Sequence, residues 1–148
     1  AVVDADALSV VPELETDTTL ICTPHQGELV GMGGQTDDDR EQRAELVAAF
    51  ADEIGQTLLV KGAADIITDG ESTRINRTGN PGMTVGGTGD VLAGVVGAVF
   101  TSREPRDAAA VGAYLTGRAG DLAAADTGDG LVATDLINWL PEASTTDE

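Results

Sequence analysis

One stretch concentrates the residues that could do chemistry: Asn80-Pro81-Gly82-Met83-Thr84-Val85-Gly86-Gly87-Thr88-Gly89-Asp90, running into the apolar residues Val91 to Phe100. The glycines lack a Cβ, so backbone N–H groups there can turn inward and approach a ligand closely. A helix starting after Gly89 adds its first unpaired N–H groups, and the positive end of its dipole, to the same space. Such a place holds anions, phosphate above all. Asp90 sits at its mouth. A carboxylate would repel phosphate, so its presence points to a base that takes a proton from a hydroxyl beside the phosphate. The other reading of the same spacing is a glycine-rich loop whose aspartate caps the helix.

Two further groups stand at the ends of apolar runs. Thr23-Pro24-His25-Gln26-Gly27-Glu28 follows Leu20-Ile21-Cys22 and contains the only histidine. His25 could contact a ligand, stack on a ring or move a proton, or it could simply make a loop hydrogen bond. Glu28 could hold Mg²⁺, directly or through water, or serve as a first-turn helix acid. Lys61-Gly62-Ala63-Ala64-Asp65 follows Thr57-Leu58-Leu59-Val60 and holds the only lysine. An ammonium at a strand end meets phosphate as a point charge. In a chain that otherwise uses arginine, that lone lysine is informative. Asp4 and Asp6 close the first apolar run, and the sequence does not choose which of them faces the site and which is a local cap.

These groups need elements to position them. Val2 to Leu8, Thr19 to Thr23 and Thr57 to Val60 read as buried strands without polar alternation, which favours a sheet covered on both faces. Val10 to Leu14 reads as a brief turn or helix. Asp37-Asp38-Asp39 supplies N-cap acids to an amphipathic helix from Arg40 to Gly55, with Arg43, Leu46 or Val47, Phe50 and Ile54 on one side. Asp65 to Thr68 and Ser72 to Ile75, joined through Asp69-Gly70, read as a hairpin. Val91 to Phe100 fits a helix packed against a sheet. Pro105 to Ala125 reads as an alanine-rich helix or helix pair, and Ala133 to Leu140 as a last helix stopped by Pro141. Cys22 and Trp139 read as packing residues, and Asp126 to Gly130 as a turn. The spacing predicts an α/β sandwich with a largely parallel sheet, in which ligands gather at the carboxyl ends of the strands. Asp4 or Asp6, Pro24 to Glu28 and Lys61-Gly62 fall there, as a site would require.

The totals bound the rest. The 148 residues suffice for one domain with a core. The net charge of −18 disfavours nucleic-acid binding through a basic face and suits a protein kept soluble at high salt. No apolar run is long enough to span a membrane, so no membrane partner is expected. A single cysteine excludes an internal disulfide and suits the cytoplasm. The opening Ala1-Val2-Val3 reads as already inside a strand, so the domain is expected to be truncated at its N-terminus.

Taken together, Asp4-Ala5-Asp6-Ala7-Leu8, Thr23-Pro24-His25-Gln26-Gly27-Glu28, Lys61-Gly62 with its hairpin, and Asn80 to Gly94 around Gly87-Thr88-Gly89-Asp90 resemble the ADP- or ATP-dependent NAD(P)H-hydrate dehydratases of the ribokinase-like superfamily. Vitamin kinases of that superfamily usually carry Asn where His25 stands. The resemblance implies a ribokinase-like three-layer α/β sandwich. Residues 1–141 would be the C-terminal part of one dehydratase domain and 142–148 a polar tail. The implied activity is repair: the S-epimer of hydrated NADH or NADPH is phosphorylated on its ring hydroxyl and loses phosphate. Asp90 would be the catalytic base. Lys61, Gly62, Ala63, Ala64, Asp65, Gly86, Gly87, Thr88 and Gly89 would hold the adenine nucleotide, ADP or ATP. His25, Asn80 and Asp90 would contact the hydrated cofactor, and Glu28 would organise Mg²⁺. The family often has Thr where Asp65 stands, and Thr can donate a hydrogen bond that a carboxylate cannot. A homo-oligomer and an upstream epimerase domain are the partners implied. The alternatives are a ribokinase-like kinase of a vitamin precursor or sugar, and a catalytically incomplete nucleotide-binding module.

Overall fold

The computed structural model describes residues 1–145, Asp129 by its backbone alone. Five strands, β1 (Val2–Val3), β2 (Ile21–Cys22), β3 (Thr57–Val60), β4 (Asp65–Thr68) and β5 (Thr73–Asn76), form one sheet in sequence order. β1, β2 and β3 run parallel, and β4 and β5 are antiparallel additions. The mixed character follows from the connections. Helices or long loops separate the first three strands, whereas β4 and β5 are joined by the predicted Asp69-Gly70 turn, where Gly70 adopts φ 93°. Asp69 holds that turn by accepting from the N–H groups of Glu71 and Ser72.

Helices cover both faces. Leu58 and Val60 of β3 and Cys22 of β2 pack on one side with Leu29, Val47 and Phe50. These come from α1 (Gln26–Gly31) and α2 (Arg40–Ile54). Leu59 and Ile21 pack on the other side with Leu92, Val96, Ala108 and Ala109. Those belong to α3 (Thr88–Phe100) and α4 (Pro105–Thr127). Every residue of β3 is buried, so its unbroken apolar reading was that of a central strand. Each such Leu or Ile side chain contributes about 1.5–3 kcal/mol by leaving water. Burial pushes the Cys22 thiol up to about 11, as suits a core residue. Among the described residues no helix is long and apolar enough to cross a membrane.

Three local readings are corrected. The first strand ends at Val3, and the chain turns through Asp4 and Ala5 (φ 54°) into a 3-10 helix, Ala5–Glu13. Asp4 and Asp6 therefore both lie beyond the strand. The last helix, α5 (Ala133–Ala143), is not stopped by Pro141 but passes through it. Proline lacks the N–H that would bond back to Ile137. The next turn closes with Ser144 donating to Leu140 O at 3.0 Å, and buried Leu136 and Ala143 pin both ends. The polar tail accordingly starts later than Glu142. Its residues 146–148 lie outside the described residues.

Candidate functional site

Because β1, β2 and β3 are parallel, their carboxyl ends deliver Asp4, Thr23 to His25 and Lys61 to one place. A His25–Lys61 bridge extends the β2–β3 pairing past the strands, with Lys61 N–H donating to Pro24 O at 2.8 Å. Lys61 Nζ lies 2.9 Å from Asp4 Oδ1 and 3.7 Å from Glu28 Oε2. Thr23 Oγ1 donates to the same Asp4 oxygen at 2.8 Å. Burial alone would raise the Asp4 carboxyl. The hydrogen bonds from Lys61 and Thr23, with the ammonium's charge, outweigh it and hold Asp4 below its ordinary value. Asp4 is thus the acid that faces the site, and Asp6 is exposed.

His25 is the N-cap of α1. Its Nδ1 accepts the Glu28 N–H at 3.1 Å, and Glu28 Oε2 accepts the His25 N–H at 2.7 Å, a reciprocal capping box. With Nδ1 accepting, the neutral ring carries its proton on Nε2, which lies 3.6 Å from Glu28 Oε1 on a largely exposed ring. Gly27 makes room for that ring, since a Cβ there would sit 2.9 Å from His25 Cε1. The helix-start reading of Glu28 is therefore realised, and one of its carboxylate oxygens is committed to it.

At the head of α3, Gly87 is the N-cap at φ 93°, a conformation that favours glycine. No side chain caps this helix, so Asp90 is not its cap; it is exposed in the first turn. Among the described residues, the N–H groups of Thr88, Gly89 and Asp90 meet no protein carbonyl, and the first backbone bond is Val91 N–H to Gly87 O. The Thr88 hydroxyl ties the loop down by bonding Met83 O and Val85 O. A Cβ on Gly89 would lie 3.6 Å from both Asp4 Oδ2 and Lys61 Nζ. The helix head and the strand-end cluster therefore adjoin.

Between them opens a cavity of about 540 Å³ bordered by His25, Lys61, Gly62, Ala63, Asp65, Asn80, Thr88 and Gly89. That volume suits a small organic ligand. Gly86, Gly87, Glu28 and Asp90 stand outside its wall, and Ala64 borders a different cavity. Asn80 borders it with its donors already used, since Nδ2 bonds Gly120 O and Asp121 Oδ1, each at 3.0 Å. Its Oδ1 accepts from Gly82 N–H. These bonds hold the loop on α4 and keep Asn80 at the cavity border. Asp65 is similarly engaged, accepting from Gly62 N–H at 3.1 Å and Asn76 Nδ2 at 2.9 Å. Burial raises its carboxyl despite those bonds and the nearby Lys61.

The far wall was missed from sequence. It is made by Thr78, Thr116 and Gly117. α4 buries a face of small residues, and a Cβ on Gly117 would collide with the backbone and side chain of Thr78. No signal marked these positions, because a stripe of Ala, Gly and Thr reads alike on a packed helix and on a cavity wall.

Residues 1–142 match the family model described as NAD(P)H-hydrate dehydratase. The bifunctional NAD(P)H-hydrate repair enzyme Nnr of Hyperthermus butylicus is 43% identical over 150 residues, covering 96% of this chain and 28% of the relative. The ADP-dependent (S)-NAD(P)H-hydrate dehydratase of Cenarchaeum symbiosum is 40% identical over 144 residues, covering 94% of this chain and 50% of the relative. The chain thus spans half or less of the length of these curated relatives. Among solved structures, the ADP/ATP-dependent NAD(P)H-hydrate dehydratase from Bacillus subtilis, co-crystallised with ATP/Mg²⁺, superposes with a TM-score of 0.84 at 28% identity. That match covers 96% of this chain and 53% of the other.

Proposed function

The chain belongs to the NAD(P)H-hydrate dehydratase family, and on that premise we propose that the protein restores NADH and NADPH from the S-epimers of their ring-hydrated forms, with ADP or ATP as phosphoryl donor. One observation carries the reading: an exposed Asp90 stands in the first turn of α3 while the N–H groups beside it meet no protein carbonyl. Those amides would hold the charge that develops on the transferred phosphoryl group, and Asp90 would take the proton of the ring hydroxyl. The C–O bond to the phosphorylated oxygen then breaks, inorganic phosphate leaves, the adjacent ring carbon gives up a proton to solvent, and the ring double bond returns. Lys61, fixed by Asp4, supplies positive charge at the phosphate end, while Gly62 to Asp65 carry the nucleotide. His25 would present Nε2–H to the hydrated cofactor.

Mg²⁺ is the metal implied. Among the described residues no three His, Cys, Asp or Glu side chains gather as a metal cage. Asp4 and Glu28 do flank Lys61, a donor set that suits an ion held chiefly by phosphate and water. Glu28 would meet it through water, and the ion would offset phosphate charge. We include in the same reading a cytoplasmic setting, a halophile-like adaptation, a homo-oligomer and a fused epimerase domain. The bifunctional relatives support the fusion.

The test is product analysis with hydrated NADH and either nucleotide. Equal amounts of NADH and inorganic phosphate are expected. Accumulation of a stable phosphorylated alcohol would instead identify a kinase.

A further inference from the structure

A second open cavity, of about 410 Å³, lies on the other side of the nucleotide loop and is bordered by Arg40, Arg43, Ala63, Ala64 and Arg77. Ala63 borders the main cavity as well, so the two adjoin. Three of the chain's seven arginines thus converge on one hollow in a protein of net charge −18. Among the described residues none of the three enters an ion pair, although acids outnumber cations by 26 to 8. Two of the acids beside them each have one oxygen committed to the backbone. Asp37 Oδ1 accepts from Asp39 N–H, and Asp39 Oδ1 accepts from Gln42 N–H, both in the cap of α2. Arg43 is turned by its Nη2, which donates to Asp38 O at 3.4 Å, while its buried Nε has no partner.

Arg74 and Arg106, by contrast, pair with Asp107 and Asp69. Three guanidiniums that enter no ion pair around a hollow offer forked donors that match the oxygens of a phosphate. We propose that Arg40, Arg43 and Arg77 form a phosphate-binding subsite beside the nucleotide loop. Its occupant is either a phosphate carried by a ligand that also fills the main cavity or free inorganic phosphate. The first source rests on the function proposed above, where NADH and NADPH hydrates differ by one ribose phosphate.

The experiment is calorimetric titration of the protein at fixed ionic strength with inorganic phosphate, NAD⁺ and NADP⁺, with and without excess ADP. It is run on the wild type and on Arg40→Gln and Arg77→Gln, two exposed positions. Phosphate is expected to bind saturably even with ADP present, and each substitution to weaken it about tenfold, the loss of one charge-assisted contact. If the ribose phosphate fills the subsite, NADP⁺ also weakens about tenfold and NAD⁺ does not. If free phosphate fills it, neither dinucleotide changes. Wild-type protein that takes phosphate no better than chloride, or variants that bind it as the wild type does, overturns the subsite. A protein that gives no heat with ADP overturns the functional reading instead, and the phosphate titration still decides the subsite.

Discussion

Asp4 and Asp65 both feel the charge of Lys61, and their surroundings drive them in opposite directions. Asp4 sits below its ordinary value, so the unfolded chain binds more protons in the window between the lowered value and the ordinary one. Its contribution is complete above the ordinary carboxylate value and disappears as pH falls through the lowered one. Asp65, raised by burial, has the reverse sign: its share of stability falls as pH rises through the window above the ordinary value. Asp4→Asn should therefore give a flatter loss of stability below about pH 4 than the wild type, read from denaturant midpoints across an acid series. A curve parallel to the wild type would remove Asp4 from that role. The nearness of His25 and Lys61 was legible in sequence because a parallel sheet brings strand ends together, whereas the choice of Asp4 over Asp6 was not, since it depends on the backbone turn at Ala5. The bonds of Asn80 were not legible, because its partner, Asp121, lies 41 residues away.

Among the elements, α4 decides the shape of the cavity. Its buried face is almost wholly Ala, Gly and Thr, which lets α3, α5 and the 78–83 loop approach closely. Gly117→Ala would drive a methyl into the Thr78 backbone, which cannot rotate away. A loss of about 1–3 kcal/mol is expected in urea unfolding, with weaker nucleotide binding because both residues border the cavity. Gly120→Ala meets chiefly the Met83 side chain, a flexible neighbour, and should cost less. The amphipathic α2 and the hairpin were legible because Asp39, Gly55 and Asp69-Gly70 mark their ends. The short β1 and the length of α5 were not. A local backbone turn at Ala5 ended the first, and burial of Ala143 outweighed the stop signal of Pro141 in the second.

On the scale of the whole molecule, three layers place one catalytic candidate at a shared edge of two clusters. The helix head of α3 brings free amides, and the parallel strand ends bring Lys61 and its carboxylates. The layer order was legible from unbroken apolar strands alternating with helices. The convergence of Arg40, Arg43 and Arg77 was not, since they come from α2 and from beyond β5. A charge of −18 repels itself across this surface. Raising KCl from about 0.1 to about 1 M shortens the screening length from about 10 Å to about 3 Å. The thermal midpoint should rise over that range, and a falling midpoint would count against an adaptation to salt. The most direct test of the central claim is turnover of hydrated NADH by Asp90→Asn. Asp90 is exposed and bonds no protein group among the described residues, so the variant should fold and bind nucleotide as the wild type does. Turnover is expected to fall by about 10²–10⁴-fold, the usual share of a positioned base; turnover at the wild-type rate would contradict the account.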